Sequence, residues 1–217
     1  MDNNLTILVI DDHHLIQAGT TAFVQEHYPS AKILTASSVE EAQQQVNQLA
    51  IDLAIVDLSL PEKAGLNAHL DVGINLLQDL MQKNPYLNIL VQSSNIKALN
   101  RIKKQYIDHH QGGFTTADKS LSVKQLLTRI EWAIAGLTYT KAFKPDLAFK
   151  PEWLEVLQLA FEEGLQDKAI AEKMYKSERM IRHYWCKIQD ALEIYPEEGK
   201  NLRALTQIKA REEGLID

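Results

Sequence analysis

The chain has 217 residues, of which 45% are hydrophobic and 24% are charged, so it is long enough for two ordinary globular domains. Its formal net charge of −6 argues against non-specific coating of nucleic acid, and no apolar run approaches the ~20 residues that span a bilayer. The single cysteine, Cys186, excludes an internal disulfide and is typical of the reducing cytosol, so we expect a cytoplasmic protein.

The first part of the chain alternates short apolar runs with amphipathic segments. The pattern predicts strands near 5–10, 31–35, 52–57, 87–92 and 112–117 and helices near 14–27, 38–49, 73–83, 96–107 and 121–136. Strands that alternate with helices form a parallel sheet through right-handed crossovers. We therefore predict an α/β fold, (βα)5, with a doubly wound parallel sheet of five strands. No signal peptide is expected, because only a short apolar run follows the polar first residues.

The second part of the chain shows helical patterns only. Residues 138–149 have loose periodicity and are predicted to form a linker. Helices are predicted near 151–163, 167–174, 178–193 and 200–213. Two helices joined by a short turn and followed by a longer helix are typical of a helix-turn-helix. The predicted organisation is a (βα)5 domain at 1–137 and a small all-α helix-turn-helix domain at 150–217.

Five polar residues stand where apolar runs of the first domain end: Asp11, Asp12, Asp57, Ser93 and Lys119. In an open α/β sheet the carboxyl ends of the strands face one crevice, so these side chains are predicted to converge. Converging carboxylates repel each other, and a divalent cation that prefers oxygen ligands, best Mg²⁺, removes that cost. Asp57 can attack a phosphoryl group as a nucleophile, while Ser93 and Lys119 can contact phosphoryl oxygens.

The acid pair also has a simpler interpretation. Asp11 and Asp12 would then only cap the helix that follows them, although a cap needs one acid and does not explain Asp57. The adjacent pair His13–His14 suggests a metal site, but neighbouring side chains of a helix diverge, so we do not predict metal ligation by it.

Residues 1–137 resemble the receiver domain of bacterial two-component response regulators, and the opening DDHHLIQAG is similar to that of the NarL/LuxR branch. The resemblance implies that Asp11 and Asp12 bind Mg²⁺ together with Asp57. It also implies that Asp57 accepts phosphate from a sensor histidine kinase or a phosphotransfer protein, and that Ser93 and Lys119 sense the phosphate.

Two features depart from the receiver pattern. The loop 61–73 is about eight residues longer than in the family, since the helix-like GINLLQDL begins only at Gly73, and this loop borders the predicted phosphorylation site. The family also places a switch aromatic three residues before the lysine, where this chain has Thr116. Phe114, two positions earlier on the same strand face, either serves as the switch or is a plain core residue.

A basic segment interrupts the acidic chain. Residues 168–187 carry six basic side chains against two acidic ones, whereas residues 1–140 carry 10 against 14. Such a segment is typical of a phosphate-binding surface, and the alternative is a solvated helix face. The string GLQDKAIAEKMYKSERMIRHYWCKI resembles the helix-turn-helix of LuxR-type output domains, with EWLEVLQLAFEE as its scaffold helix. The resemblance implies binding of promoter DNA through Lys176, Ser177, Arg179, Arg182, His183 and Lys187.

Departures in this segment limit what the resemblance implies. Tyr184 takes the place of the family's usual histidine, so the operator sequence does not carry over. The last helical string, KNLRALTQIKAREEG, matches the position of the family's dimer-forming helix, which implies a possible homodimer. Its apolar spacing is equally suited to simple packing.

The leading hypothesis is a DNA-binding transcriptional response regulator, not an enzyme, in which phosphorylation of Asp57 controls promoter binding. A second hypothesis is an atypical regulator that acts through protein partners independently of phosphorylation. The complete acid set argues against it, and the long loop and the displaced aromatic keep it open. A third is a phosphohydrolase of the aspartyl-phosphate type. Such enzymes place a second acid two residues after the nucleophile, and Ser59 at that position argues against turnover.

Overall fold

The computed structural model describes residues 5–140 and 149–217, and these residues form two compact units. The first unit comprises the described residues of Met1–Ile96 and Ile102–Ala142. The second unit comprises the described residues of Lys97–Arg101 and Phe143–Asp217. No helix of these two described stretches is long and apolar enough to cross a membrane.

The first unit is built on a parallel sheet of six strands in the order β2-β1-β3-β4-β5-β6. The strands are β1 Thr6–Ile10, β2 Lys32–Ala36, β3 Leu53–Val56, β4 Asn88–Ser93, β5 Phe114–Asp118 and β6 Thr138–Tyr139. All four residues of β3 are buried, because helices cover both faces of a parallel sheet and leave its central strands no solvated side. The predicted doubly wound α/β fold is confirmed, with one strand more than expected.

Five α-helices of the first unit connect its strands. They are α1 His14–His27, α2 Val39–Gln48, α3 Leu70–Lys83, α4 Lys104–His109 and α5 Val123–Ile134. Serine side chains cap the N-termini of two of these helices. Ser38 accepts a hydrogen bond from the N–H of Glu41, and Ser122 forms a full capping box with Gln125. Helix α3 begins three residues before the predicted start at Gly73, so the preceding loop is shorter than expected.

Strand β6 lies in the segment that was predicted to be a linker. Gly136 adopts a left-handed backbone (φ 74°) after α5 and turns the chain back toward β5. The carbonyl of Leu137 then accepts a hydrogen bond of 3.0 Å from the N–H of Phe114, which starts the pairing. Two residues are too few to show an alternating pattern in the sequence. The remaining residues 141–148 of the predicted linker lie outside the described residues.

The second unit contains four α-helices in its described part, with an apolar core between them. They are α6 Pro151–Phe161, α7 Asp167–Lys173, α8 Glu178–Ala191 and α9 Leu202–Glu212. Ile181, Trp185 and Ile188 are buried in this core and recur at helical spacing along α8. A short turn joins α7 to α8. The face of α8 opposite its buried residues lies outside the core.

The segment predicted as one helix at 96–107 is a 3₁₀ helix, Ile96–Arg101, followed by α4, so that prediction is wrong in this detail. Within the second unit, the side chains of Asn100 and Arg101 donate hydrogen bonds of 2.8 Å to the carbonyls of Glu213 and Gly214. Carbonyls at a helix end need such donors, because the helix itself supplies none. These contacts are distant in sequence, and no local pattern reveals them.

Candidate phosphoryl site and DNA-binding helix

The predicted polar residues of the first unit lie together at the carboxyl end of the sheet. Asp11 and Asp57 directly follow β1 and β3, Ser93 is the last residue of β4, and Lys119 directly follows β5. These four strands are neighbours in the sheet, which brings the side chains to one edge. Asp11, Asp57 and Ser93 are buried, with 4%, 3% and 2% of their surface exposed.

Lys119 links the two buried carboxylates. Its Nζ atom lies 2.8 Å from Oδ2 of Asp11 and 2.8 Å from Oδ2 of Asp57. The backbone N–H of Lys119 donates a hydrogen bond of 3.2 Å to the carbonyl of Ser93, which ties the ends of β4 and β5 together. The lysine therefore neutralises part of the charge of the acid cluster.

The electrostatic balance of the cluster appears in two pKa shifts. Burial raises the pKa of Asp11, and hydrogen bonds from Lys119 and from the His13 N–H offset this only in part. Burial alone would lower the pKa of Lys119, but the hydrogen bonds and charges of Asp11 and Asp57 outweigh it, so that pKa is raised. The buried carboxylates therefore favour a positive charge beside them, and they keep the side chain of Lys119 protonated.

The cluster offers a set of oxygen ligands that suits a hard divalent cation. Asp11, Asp12, His13 and Asp57 each present one ligand atom, and these atoms lie within 4.8 Å of one another. The three carboxylates suit Mg²⁺, which binds carboxylate oxygens and completes its shell with water or phosphate oxygens. The side chains of Asp11, Asp12 and Asp57 are thus the ones that would hold the ion.

His13 belongs to the site, and the sequence interpretation missed it because it weighed this residue only as a partner of His14. The ring Nδ1 of His13 lies 2.7 Å from Oδ1 of Asp12, and the backbone N–H of His13 donates a hydrogen bond of 2.8 Å to Oδ1 of Asp11. The available signal was its position directly after the acid pair. His13 therefore orients both carboxylates.

The two oxygens of Asp57 have different surroundings. Oδ1 accepts a hydrogen bond of 2.7 Å from the N–H of Leu58, and Oδ2 faces Lys119. The hydroxyl oxygen of Ser93 accepts a hydrogen bond of 3.3 Å from the N–H of Asn95, which leaves its own proton available as a donor. The arrangement can accept a phosphoryl group on Asp57 and meet the added oxygens with a hydroxyl and an ammonium.

The long loop after β3 is fixed at both ends. The carbonyls of Pro61 and Glu62 accept hydrogen bonds of 3.0 Å from the first N–H groups of α2, and Leu60 pairs with His69 in an isolated antiparallel bridge. These contacts close the loop at its base. Its tip is exposed to solvent, with 59% of Leu66 accessible.

The proposed switch aromatic, Phe114, is 1% exposed and is paired with Ile89 of β4, as expected for a core residue. Its role as a switch stays a prediction. The hydroxyl of Thr116, at the family's switch position, donates to the carbonyl of Tyr139 in β6 at 3.5 Å. The guanidinium of Arg129 lies 3.6 Å from the centre of the Tyr139 ring.

The predicted DNA-binding residues lie on and just before α8. Helix α8 is capped by Ser177, which accepts a hydrogen bond of 3.2 Å from the N–H of Met180. The six residues are all exposed: Lys176, Ser177, Arg179, Arg182, His183 and Lys187. Arg179, Arg182 and His183 share one face of α8 opposite its buried stripe, a placement suited to a groove of duplex DNA.

Contacts behind α8 fix its orientation within the second unit. The indole N–H of Trp185 donates a hydrogen bond of 3.1 Å to Asp167, the first residue of α7. Arg203 of α9 binds the same carboxylate at 2.7 Å and stacks its guanidinium 3.5 Å from the centre of the Trp185 ring. The exposed basic face of α8 is therefore carried by a helix that its neighbours hold in place.

Most of the first unit matches a known protein family. Residues 7–131, more than half of the chain, match the family described as the response regulator receiver domain, and the chain belongs to that family. The match confirms the part of the resemblance that made the chain a response regulator.

Relatives of known function extend the comparison beyond the receiver. The transcriptional activator protein ExaE of Pseudomonas putida is 25% identical over 205 residues, which cover 87% of this chain and 90% of ExaE. The DNA-binding transcriptional activator DevR/DosR of Mycobacterium tuberculosis is 24% identical over 189 residues, covering 82% of this chain and 83% of the relative.

Solved structures show the same fold over nearly the whole chain. RcsB of Salmonella enterica serovar Typhimurium, bound to the promoter rprA with the phosphomimetic BeF₃⁻, has a TM-score of 0.60 at 20% identity and covers 95% of this chain and 98% of RcsB. A structure of two RcsB dimers bound to two parallel DNAs has a TM-score of 0.59 at 19% identity, with 96% and 98% covered.

Proposed function

We propose that this chain is a transcriptional regulator in which phosphorylation of Asp57 controls binding of promoter DNA. The observation that carries the proposal is the surroundings of one buried carboxylate. Asp57 lies 2.8 Å from the ammonium of Lys119 and within 4.8 Å of ligand atoms of Asp11 and Asp12. The phosphoryl donor is the phosphohistidine of a sensor histidine kinase or of a phosphotransfer protein.

In the proposed reaction a carboxylate oxygen of Asp57 attacks the phosphorus of the donor phosphohistidine. The O–P bond of an acyl phosphate forms while the P–N bond breaks, and the leaving imidazole takes up a proton from solvent. Mg²⁺, when held by Asp11, Asp12 and Asp57, supplies positive charge to the phosphoryl oxygens. Lys119 already touches Asp57 and needs only a small movement to reach the transferred group.

The new charge is expected to act on the ends of β4 and β5. A phosphoryl group adds strong acceptors, so the Ser93 hydroxyl turns its free proton toward them and Lys119 follows the same charge. The hydrogen bond between the Lys119 N–H and the Ser93 carbonyl makes the two strand ends respond together. This coupled response is the local event by which phosphorylation would change the receiver.

The DNA partner is inferred from α8. Its exposed cations can contact phosphates and base edges, and Arg179 and Arg182 are suited to bidentate contacts with guanine. The promoter complexes of RcsB support double-stranded DNA as the partner, and its paired dimers on DNA support a homodimer. Helix α9, whose Ile208 is 56% exposed, is the proposed dimer contact.

The test of the phosphorylation step is labelling with acetyl phosphate and Mg²⁺, read by intact-protein mass spectrometry. The wild type is expected to gain the mass of one phosphoryl group, and Asp57→Ala is expected to gain none. Asp79→Ala serves as the control, because Asp79 is an exposed acid that pairs with Lys83 on α3. Equal labelling of Asp57→Ala and the wild type contradicts the assignment.

The link to DNA is tested with genomic promoter fragments in a gel shift, with and without acetyl phosphate. The wild type is expected to bind more tightly when phosphorylated, and Asp57→Ala is expected to be insensitive to the phosphodonor. Equal binding by both proteins in both conditions would favour the phosphorylation-independent regulator that acts through protein partners.

A further inference from the structure

Four α-helices of the described residues end in a left-handed residue directly after the helix cap. For α5 and α9 this residue is glycine, Gly136 (φ 74°) and Gly214 (φ 70°), which adopts the conformation without strain. For α7 and α8 it is Tyr175 (φ 53°) and Glu193 (φ 57°), whose side chains disfavour this conformation. The chain therefore retains a bulky side chain at two positions where glycine would favour folding.

The backbone around Tyr175 explains why the left-handed conformation is needed. The N–H of Tyr175 donates to the carbonyl of Glu172 at 3.2 Å, and the N–H of Lys176 donates to the carbonyl of Ala171 at 2.8 Å. These two hydrogen bonds form a Schellman motif, which closes α7 and starts the turn toward α8. The motif is made by the backbone, so it does not require a tyrosine.

The side chain of Tyr175 gains nothing from packing. It is 94% exposed, although it is large and partly apolar, so the fold does not use its burial as a source of stability. The backbone conformation of Tyr175 thus works against folding, and its exposed side chain contributes no burial to offset that cost. Local choices that oppose the fold concentrate at functional sites.

The position of Tyr175 indicates which function. It lies two residues before Ser177, the cap of α8, and directly before the exposed Lys176. The N-terminal end of a recognition helix is the part that approaches DNA, and the sugar-phosphate strand at the edge of the groove passes beside it. A tyrosine hydroxyl is one of the side-chain groups that bind phosphate oxygens in such interfaces.

We propose that the hydroxyl of Tyr175 donates a hydrogen bond to a phosphate oxygen of the DNA backbone beside the N-terminus of α8. The contact is uncharged and positions the helix, while the neighbouring cations supply the electrostatic attraction. This inference rests on the proposed binding of DNA by α8. It adds to that surface a residue on the turn, outside the basic face.

The test uses the full-length protein and a fluorescein-labelled mixed-sequence duplex of roughly 30 base pairs, long enough for two half-sites. Affinity is measured by fluorescence anisotropy at several salt concentrations, and stability by thermal denaturation. Tyr175→Phe removes only the hydroxyl, and Tyr175→Gly removes the side chain together with the backbone strain. Glu193→Gly removes the same strain at the other end of α8 and is the matched control, while Arg182→Ala tests the basic face.

Tyr175→Phe is expected to bind about tenfold more weakly, because a hydrogen bond to a charged acceptor is lost. The slope of affinity against salt should not change, since no cation is removed and the same counterions are released. Tyr175→Gly should melt several degrees higher than the wild type and yet bind at least as weakly as Tyr175→Phe. Glu193→Gly should melt higher with unchanged affinity. A purely structural tyrosine would not separate stability from binding in this way.

Two results overturn the inference. Affinity within twofold of the wild type for Tyr175→Phe and Tyr175→Gly, with Arg182→Ala clearly weakened, removes Tyr175 from the interface and leaves the proposed DNA binding intact. A wild type that binds no duplex, or Arg182→Ala with unchanged affinity, overturns the proposed role of α8 and the inference with it.

Discussion

Replacing Lys119 by methionine removes the charge that compensates two buried carboxylates. The ammonium lies 2.8 Å from Oδ2 of Asp11 and of Asp57, and these side chains are only 6% and 3% exposed, so water cannot take its place. Removing one partner of a buried ion pair costs about 3–5 kcal/mol. Protonation of a carboxylate limits this cost. For a carboxyl group that has its ordinary pKa in the unfolded chain, protonation costs about 4 kcal/mol at pH 7 and about 1.5 kcal/mol at pH 5.

We therefore expect Lys119→Met to lower the free energy of unfolding by about 3–4 kcal/mol at pH 7 and by about 1.5 kcal/mol at pH 5. Urea unfolding in EDTA at both pH values measures the difference. Lys83→Met is the control, because the exposed pair of Lys83 with Asp79 should contribute under about 0.5 kcal/mol. Added Mg²⁺ should stabilise Lys119→Met more than the wild type. A loss that equals the control, or that is the same at both pH values, would refute this reasoning.

Two further substitutions probe the packing and the protonation of the receiver. Gly73→Ala should destabilise the receiver by about 3 kcal/mol in urea unfolding, because the added methyl group would overlap the carbonyl of Leu58. Gly19 lies in open space on α1, so Gly19→Ala should stabilise the receiver by up to about 1 kcal/mol. Burial lowers the pKa of His110, so the folded protein favours the neutral ring. The stability that the neutral ring contributes is therefore present above the ordinary pKa of histidine and is lost as the pH falls through that ordinary value. The melting temperature should therefore fall less between about pH 7 and pH 5 in His110→Gln than in the wild type.

The position of the acidic site follows from sequence because it depends on a local feature. Each of Asp11, Asp57 and Lys119 directly follows a strand whose apolar run is visible in the sequence, and the topology of a parallel sheet does the rest. The contact between His13 and Asp12 was missed because it depends on the rotamer of an exposed ring beside the strand end. Patterns fix which strand ends meet, and they do not fix side-chain torsions.

The wrong details of the fold have a common cause in tertiary contacts that outweigh local propensity. The window 96–107 has a helical pattern, but the side chains of Asn100 and Arg101 bind carbonyls more than a hundred residues away in sequence, and a 3₁₀ helix presents them. Strand β6 exists only because β5 offers it an edge. Helix α3 begins early because Leu60 pairs with His69, which no periodicity shows.

The count of charges in the cluster indicates why the proposed phosphorylation needs a divalent cation. Lys119 is shared between Asp11 and Asp57, so one ammonium already serves two carboxylates. A phosphoryl group on Asp57 brings up to two negative charges and draws Lys119 toward itself, and Asp11 would then lose its partner while it remains buried. Asp11 can stay ionised beside the phosphoryl group only if another cation replaces the lysine. Phosphorylation and Mg²⁺ binding should therefore depend on each other, and labelling of Asp57 by acetyl phosphate should disappear in EDTA.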